Sequence, residues 1–503
     1  MKRVAQFIEF LVKKFIQLPL VDKWLNEHPK IHHQLNERLS FEKFTGIAFT
    51  ILVIIFLYFI SLFLGIVQDY LSHNSLVLAD ERIANLLYFF RNINLLYFFY
   101  FITLFAESTV VIILSIILSI SLWVRRQRIY IFSLWLVLIL GEGLAFWAKY
   151  VFQRERPALF MRTITENSFS FPSGHATAVV LFYGFLLYLV IRNYSSLKTK
   201  ITSFIAFLLL VVLVDFSRLY LGVHYLSDVI AGNLLGFSVL ILCIILTEWI
   251  ISYKPKLIPN KIKSSQIFLL LIIAVASVFL VYGLTDSPVS KDKSMTAQEI
   301  KTEEVLSLFD KNILPRFTET LTGANQEPIN LIIISPEACF EKDINNANWT
   351  SADKPTISST KLLAKKAALN QAYSAAPMTP SFYDAKPNDF GFEKQTEKNT
   401  ARSRHHARFW KTDYVTSSGT LYLGTTSLDV GIKWFLFAHS IAPDIDTERD
   451  LFVSDLKQTG VITKDLLVQF VIPTLGENFS GDNFFTNGKA VFMTFSDCTK
   501  NKQ

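Results

Sequence analysis

Between Lys149 and Asp228 the chain carries three clusters of basic, imidazole and carboxylate residues. The first is Lys149 with Arg154, Arg156 and Pro157. The second is Phe171-Pro172-Ser173-Gly174-His175, and the third is Ser217-Arg218 followed by His224 and Asp228. Lys149, Arg156 and Arg218 together offer about three positive charges and many N–H donors, which suits a phosphate dianion. Ser173 and Gly174 precede an apolar run. A small turn at a helix N-terminus exposes backbone N–H groups and a positive dipole end, again suited to an anion. His224 and Asp228 are four apart and can share one helical face. A carboxylate on one imidazole nitrogen fixes the tautomer and leaves the other nitrogen free to attack. His175 is a second imidazole, available to protonate a leaving oxygen. Taken singly, each cluster has a plain alternative: positive charges near headgroups, a helix cap, a surface hydrogen bond. All three in order on one predicted side point to a cationic pocket.

The elements that must position these residues are hydrophobic helices. The chain has 503 residues, 51% hydrophobic and 18% charged, with 19 Gly, 3 Cys and a net charge of +7. Global disorder, a collagen-like chain and a disulfide framework are excluded. The first half holds long apolar runs at Phe44–Val67, Ile93–Val124, Ile129–Ala148, Ala176–Ile191, Ile201–Phe216, Val229–Thr247 and Ile267–Leu284. Each is near the length that crosses a hydrocarbon core of roughly 30 Å, so seven transmembrane helices are expected. Glu107 interrupts the second run, whose crossing is expected at about Thr103–Val124, its first part lying at the interface. Basic residues mark alternate loops: the stretch from Lys2 to Lys43, Arg125–Arg128, Arg192–Lys200 and Lys254–Lys263. The positive-inside rule makes that side cytoplasmic and puts the three clusters outside. Met1–Leu18 is expected to be an amphipathic helix on the inner leaflet rather than a signal peptide.

Lys149 to Pro157, Pro172 to His175 and Ser217 to Asp228 resemble the three signature motifs of the type-2 phosphatidic acid phosphatase (PAP2) superfamily, at every signature position. The resemblance covers about Phe44 to Glu248. It implies a six-helix membrane core with an active site at the extracytoplasmic face. It also implies roles: Lys149, Arg156, Arg218, Ser173 and Gly174 hold phosphoryl oxygens, His224 attacks phosphorus, His175 protonates the departing oxygen, and Asp228 orients His224. No cofactor or metal is implied. The expected substrate is a membrane lipid phosphate or diphosphate: undecaprenyl diphosphate, phosphatidic acid, phosphatidylglycerophosphate or lysophosphatidic acid. Transfer to a lipid or sugar hydroxyl, and a non-catalytic anchor for the C-terminal domain, are the alternatives. No nucleic-acid partner is expected.

The expected domains are 1–43, an N-terminal cytoplasmic segment; 44–250, the membrane phosphatase; 251–285, a cytoplasmic loop and seventh helix; and 286–503, a soluble, mixed α/β extracytoplasmic domain. Short apolar runs at Leu331–Ile334, Thr420–Leu423 and Ala490–Phe495 mark its strands. An oxidising compartment would permit a Cys339–Cys498 bridge. Arg404-His405-His406-Ala407-Arg408-Phe409-Trp410 and Arg449-Asp450-Leu451-Phe452, with Asp455-Leu456, resemble the LssY C-terminal domain found on bacterial membrane phosphatases. This architecture implies a bacterial inner membrane, with the site and the C-terminal domain periplasmic. His405, His406 and Asp413 could suggest a metal site; a polar, solvated segment anchored by Trp410 is the preferred expectation. Of the other ionisable residues, Glu142 and Glu107 are expected in polar contacts, Asp215 beside Arg218, and Arg154 and Arg162 at a headgroup.

Overall fold

The structure is a computed structural model that describes residues 44–253, 264–284, 297–433, 438–478 and 480–498, with 27–30 and 38. The expected amphipathic helix Met1–Leu18, the loop residues Lys254 to Lys263 and most of the polar stretch between 285 and 302 lie outside the described residues. The chain divides into two compact units, residues 1–80 with 90–292 and residues 81–89 with 293–503.

The first unit is helical: α1 (Ile47–Ser72), α2 (Ser75–Phe89, shared at residue 80 with the second unit), α3 (Ile93–Thr103), α4 (Ser108–Val124), α5 (Arg128–Phe152), α6 (Gly174–Asn193), α7 (Leu197–Tyr220), α8 (Leu226–Tyr253) and α9 (Ser264–Leu284). By length and composition α1, α5, α6, α7 and α8 can each cross a membrane, and α3 with α4 forms a sixth, bent crossing. The protein is a multi-pass membrane protein. Helices suit this setting because they satisfy every backbone group internally. Nothing in α1 is buried, and Ile54, Leu57, Tyr58 and Leu64 stand exposed. So broad an apolar surface needs hydrocarbon around it. The buried centre is α6, where Val179, Val180, Leu181 and Phe182 are shielded on all sides.

The second crossing departs from expectation. A short 3₁₀ turn at Leu104–Ala106 and a break at Glu107 bend the run by 43°, and the helix beyond starts at Ser108, not Thr103. At 1.5 Å per residue its 17 residues span about 26 Å. Glu107 stands at the cap position without a side-chain capping bond, its carboxylate being engaged elsewhere, as described below.

Two glycines hold the site-bearing segments. A Cβ at Gly232 in α8 would fall 2.5 Å from the Ser173 carbonyl oxygen, so only glycine lets α8 approach the start of α6. Thr177 Oγ1 then bridges Ser173 O at 3.0 Å and Gly232 O at 3.1 Å. Gly222, at φ +68°, turns the chain after α7; a side chain there would be strained and would meet Met161 O at 2.2 Å.

The second unit is a mixed α/β domain rich in strands, as its alternating runs predict. Its main sheet is nine-stranded. With β1 (Leu331–Ser335), β2 (Phe390–Thr400), β3 (Ser403–Thr416), β4 (Gly419–Lys433), β5 (Ile462–Gln469) and β6 (Lys489–Phe495), the order is β5-β6-β1-β4-β3-β2, followed by Thr350–Ser351. The three runs singled out in the sequence form its centre, with β1 antiparallel to β4 and parallel to β6. Helices α10 (Glu337–Asn346) and α11 (Ile445–Gln458) contribute Phe340, Phe452 and Leu456 to a core with Leu331, Ile333, Phe392 and Phe409. Ile332, Ile334, Leu421, Leu423, Trp410 and Phe492 form a second core. Trp410 is the expected anchor. Cys339 and Cys498 are joined in a disulfide.

Candidate active site

Four helix ends meet at one end of the bundle: the exit of α5, the entry of α6, the exit of α7 and the entry of α8. The basic connections Arg125–Arg128 and Arg192–Lys200 lie at the other ends of these helices. A cavity of about 270 Å³ opens between the first set, lined by Lys149, Arg156, Gly174, His175, Arg218 and His224, together with Glu107, Glu142 and Glu166. Six of the eight residues predicted from sequence thus face one space. Ser173 and Asp228 stand behind it. The Ser173 backbone N–H donates to Asp228 O at 3.0 Å, so it is not the free anion donor expected, while its Oγ is buried without a partner.

Arg156 anchors the cavity wall. Its Nε donates to Ser168 O at 2.7 Å and one terminal nitrogen donates to Val223 O at 2.8 Å. That same nitrogen lies 3.1 Å from His224 Nε2. An arginine can only donate, so Nε2 accepts and Nδ1 carries the ring proton. Nδ1 faces Asp228 Oδ2 at 3.5 Å, within ion-pair range but off the line of an ideal hydrogen bond. Burial first, then the charges of Arg156, Arg218 and Lys149, hold the His224 imidazole well below its ordinary range. Burial likewise pulls Arg156 down to about 10, with Glu166 opposing.

Asp228 is held by more than its motif. Its Oδ2 accepts from Tyr225 N at 2.9 Å and its Oδ1 from Arg154 at 2.6 Å. Arg154 also donates to Asp80 Oδ2 at 2.7 Å, and Asp80 Oδ1 accepts from Ser227 N at 3.0 Å. The result is a buried Asp80–Arg154–Asp228 chain. Arg154 is therefore a structural cation and not the headgroup contact expected. Burial alone would lower its pKa, but Asp228 and Asp80 raise it. Asp80 was not singled out in the sequence, because nothing in its spacing ties it to the motifs.

Two further carboxylates complete the cavity. Glu107 Oε2 lies 3.2 Å from His175 Nε2. Glu166, in the connection between α5 and α6, pairs closely with Arg218 and lies 3.5 Å from Arg156. Burial would raise the Glu166 pKa, but Arg218, His175, Arg156 and His224 pull it well below the usual carboxylate range. Arg218 also donates to Thr103 Oγ1 at 3.0 Å. Lys149 Nζ donates to Ser168 Oγ at 3.2 Å. Glu142 faces the same space: a Cβ at Gly174 would sit 3.9 Å from Glu142 Oε2 and 4.0 Å from Lys149 Nζ. Asp215 does not restrain Arg218; it accepts from Asn233 Nδ2 at 2.6 Å. Arg162 is spent on Pro157 O at 2.7 Å and Arg156 O at 3.3 Å, which holds the loop rather than a headgroup.

Residues 128–252 match the PAP2 superfamily, and residues 311–490 match the LssY C-terminus. Phosphatidylglycerophosphatase B of Bacillus subtilis (strain 168) is 34% identical over 128 residues, 21% of this chain and 63% of that protein. Lipid phosphate phosphatase delta of Arabidopsis thaliana is 33% identical over 82 residues, 16% of this chain and 20% of that protein. The chain thus spans less than two thirds of either relative. Among solved structures, a transmembrane PAP2 type phosphatidylglycerolphosphate phosphatase from Bacillus subtilis is 29% identical, with a TM-score of 0.35, over 40% of this chain and 96% of that one.

Proposed function

Because this chain belongs to the PAP2 superfamily across residues 128–252 and carries an LssY C-terminus after it, we propose that it is an integral membrane lipid phosphatase acting on a phosphate or diphosphate ester at the periplasmic face. The observation that carries this reading is the meeting of Lys149, Arg156, Arg218, His175 and His224 around one small cavity. Three cations neutralise a phosphate dianion where a metal would otherwise be used. Phosphatidylglycerophosphate is the first substrate to try, given the relative's name.

In this reading His224 Nε2 attacks phosphorus as the bond to the leaving oxygen breaks. Lys149, Arg156 and Arg218 hold the non-bridging oxygens. His175, oriented by Glu107 Oε2 at 3.2 Å from its Nε2, gives its proton to the departing oxygen. The phosphohistidine is then attacked by a water whose proton goes to His175; phosphate leaves and His224 Nε2 regains its lone pair. Asp228 stabilises the charge that builds on the His224 ring, and Arg154 and Asp80 fix Asp228 in place. The test is phosphate release by purified full-length protein in detergent from phosphatidylglycerophosphate, phosphatidic acid and undecaprenyl diphosphate. Release from at least one, lost in His224→Ala, is expected; no release from any of the three would overturn the reading.

A further inference from the structure

The second unit holds a cavity of its own, of about 510 Å³, within the range of small-molecule sites. Its floor is one face of the sheet. Residues two apart on a strand share a face, and register places Gln395, Arg404 and Asp429 in one cross-strand row, Glu393, His406 and Ser427 in the next, and Gly391, Arg408 and Thr425 in the third. This patch is not the solvated segment expected: Arg404, His406, Glu393 and Asp429 are all buried. His405, one residue on, faces the other way and pairs with Glu448 at 2.7 Å, so the two histidines share no metal site. Buried ionisable groups beneath a cavity are expensive and mark candidate binding sites.

The charges decide what the cavity takes. Arg404 is matched by Glu393 at 2.6 Å and Asp429 at 3.2 Å. Glu319 is matched by Arg82 at 2.5 Å. His406 Nε2 receives Arg408 at 3.0 Å and Ser427 Oγ at 2.5 Å, and its Nδ1 lies 3.0 Å from Asp429 Oδ1. Burial, helped by Arg408 and opposed by Asp429, holds this imidazole below its ordinary range, so it is neutral. Ser427, His406 and Asp429 have the order of a nucleophilic relay. Ser427 does not line the cavity, however, and Arg408 shares the nitrogen that would accept its proton. The site is therefore built to bind. Two lining charges make no close ion pair among the described residues: Arg408, whose Nε is buried without a hydrogen-bond partner, and Glu327; they feel each other, and Arg408 feels Asp429, only at longer range. An anionic oxygen would complete Arg408, and an ammonium would give Glu327 a close partner. Leu321, Met378, Phe382 and Ile441 leave room for an apolar part.

We propose that this cavity binds a zwitterion, its phosphate or carboxylate on Arg408 and its ammonium towards Glu327. The inference is independent of the phosphatase reading. The test is calorimetric titration of the purified full chain in detergent with L-leucine and O-phosphoethanolamine, and with isopentylamine and isocaproate as the separate halves of leucine. Saturable binding of either zwitterion is expected, with each half at least about tenfold weaker, as the loss of one charge-assisted contact implies. Leucine would mark a carboxylate ligand, and O-phosphoethanolamine a phosphate headgroup or its free form. Arg408→Gln and the part-exposed Glu327→Gln should each weaken binding by about tenfold or more, leaving phosphate release unchanged. Hydrogen exchange should slow at 319–327 and 378–382 when the zwitterion binds. Absence of binding by both zwitterions, equal binding of isocaproate and leucine, or binding that survives in both variants would overturn it.

Discussion

Glu166 sits where the proposed substrate phosphate must go, with its carboxylate on Arg218 and 3.5 Å from Arg156. A phosphate can engage both guanidiniums only if this carboxylate leaves. Glu166→Gln should therefore tighten substrate binding. At an effective dielectric of about 20, a unit ion pair at this separation is worth roughly 5 kcal/mol before solvation. The expelled carboxylate regains water, however, and a hydrogen bond to a charged group is worth only about 1.5–3 kcal/mol net. At 1.4 kcal/mol per decade, that is about ten- to a hundredfold in affinity. The Glu166 side chain is 24% exposed, so solvent screening places the effect near the lower end. The assay is steady-state phosphate release from a lipid phosphate in detergent, with vanadate as a competing phosphoryl mimic. KM and the vanadate inhibition constant should both fall about tenfold, with kcat nearly unchanged. A rise in both constants would refute the reasoning and make Glu166 a residue that positions the arginines for substrate.

The depressed His224 pKa keeps its nucleophilic nitrogen unprotonated in the free enzyme at pH 6.5 and somewhat below, so the acid limb of kcat/KM should fall at a pH below the ordinary imidazole value; a limb at or above that value would contradict the burial argument. The same group makes the unfolded chain take up a proton near pH 6.5 where the folded chain does not, so stability should decline as pH drops below about 6.5, measured by thermal unfolding across pH. Asp80→Asn breaks one side of the buried Asp80–Arg154–Asp228 chain, and loss of a buried ion-pair partner costs about 3–5 kcal/mol. A clear fall in Tm is expected, together with a lower kcat, because Asp228 loses its support; an unchanged Tm would show that the chain is not structural. EDTA should leave phosphate release intact, since three side-chain cations face the cavity; strong inhibition reversed by a divalent ion would contradict the proposed neutralisation.

Residue type and spacing carried much of the site. Six of the eight motif residues line the cavity because each sits at a helix end, and helix ends are legible from apolar runs and the polar residues that stop them. The supporting carboxylates were not legible in the same way. Asp80 and Glu166 lie in segments whose spacing to the motifs means nothing until the chain folds. Glu107 was visible as an acid inside an apolar run, which signals a partner without naming His175. Asp215 shows the limit of proximity in sequence: three residues from Arg218, it turns to Asn233 instead. In the second unit the short apolar runs gave the central strands. The buried charge on β3 reads in sequence as solvated polarity, although Arg404, His406 and Arg408 alternate with His405, Ala407 and Phe409. That period of two is the mark of a strand, and charges gathered on one of its faces were the available signal.

The sharpest measurement is a rapid quench of purified protein mixed with a radiolabelled lipid phosphate, followed by peptide mapping. The proposed chemistry predicts an acid-labile, alkali-stable phosphoryl label on the peptide bearing His224, absent in His224→Ala along with phosphate release. Sustained release by His224→Ala, or label confined to any other residue, would contradict it.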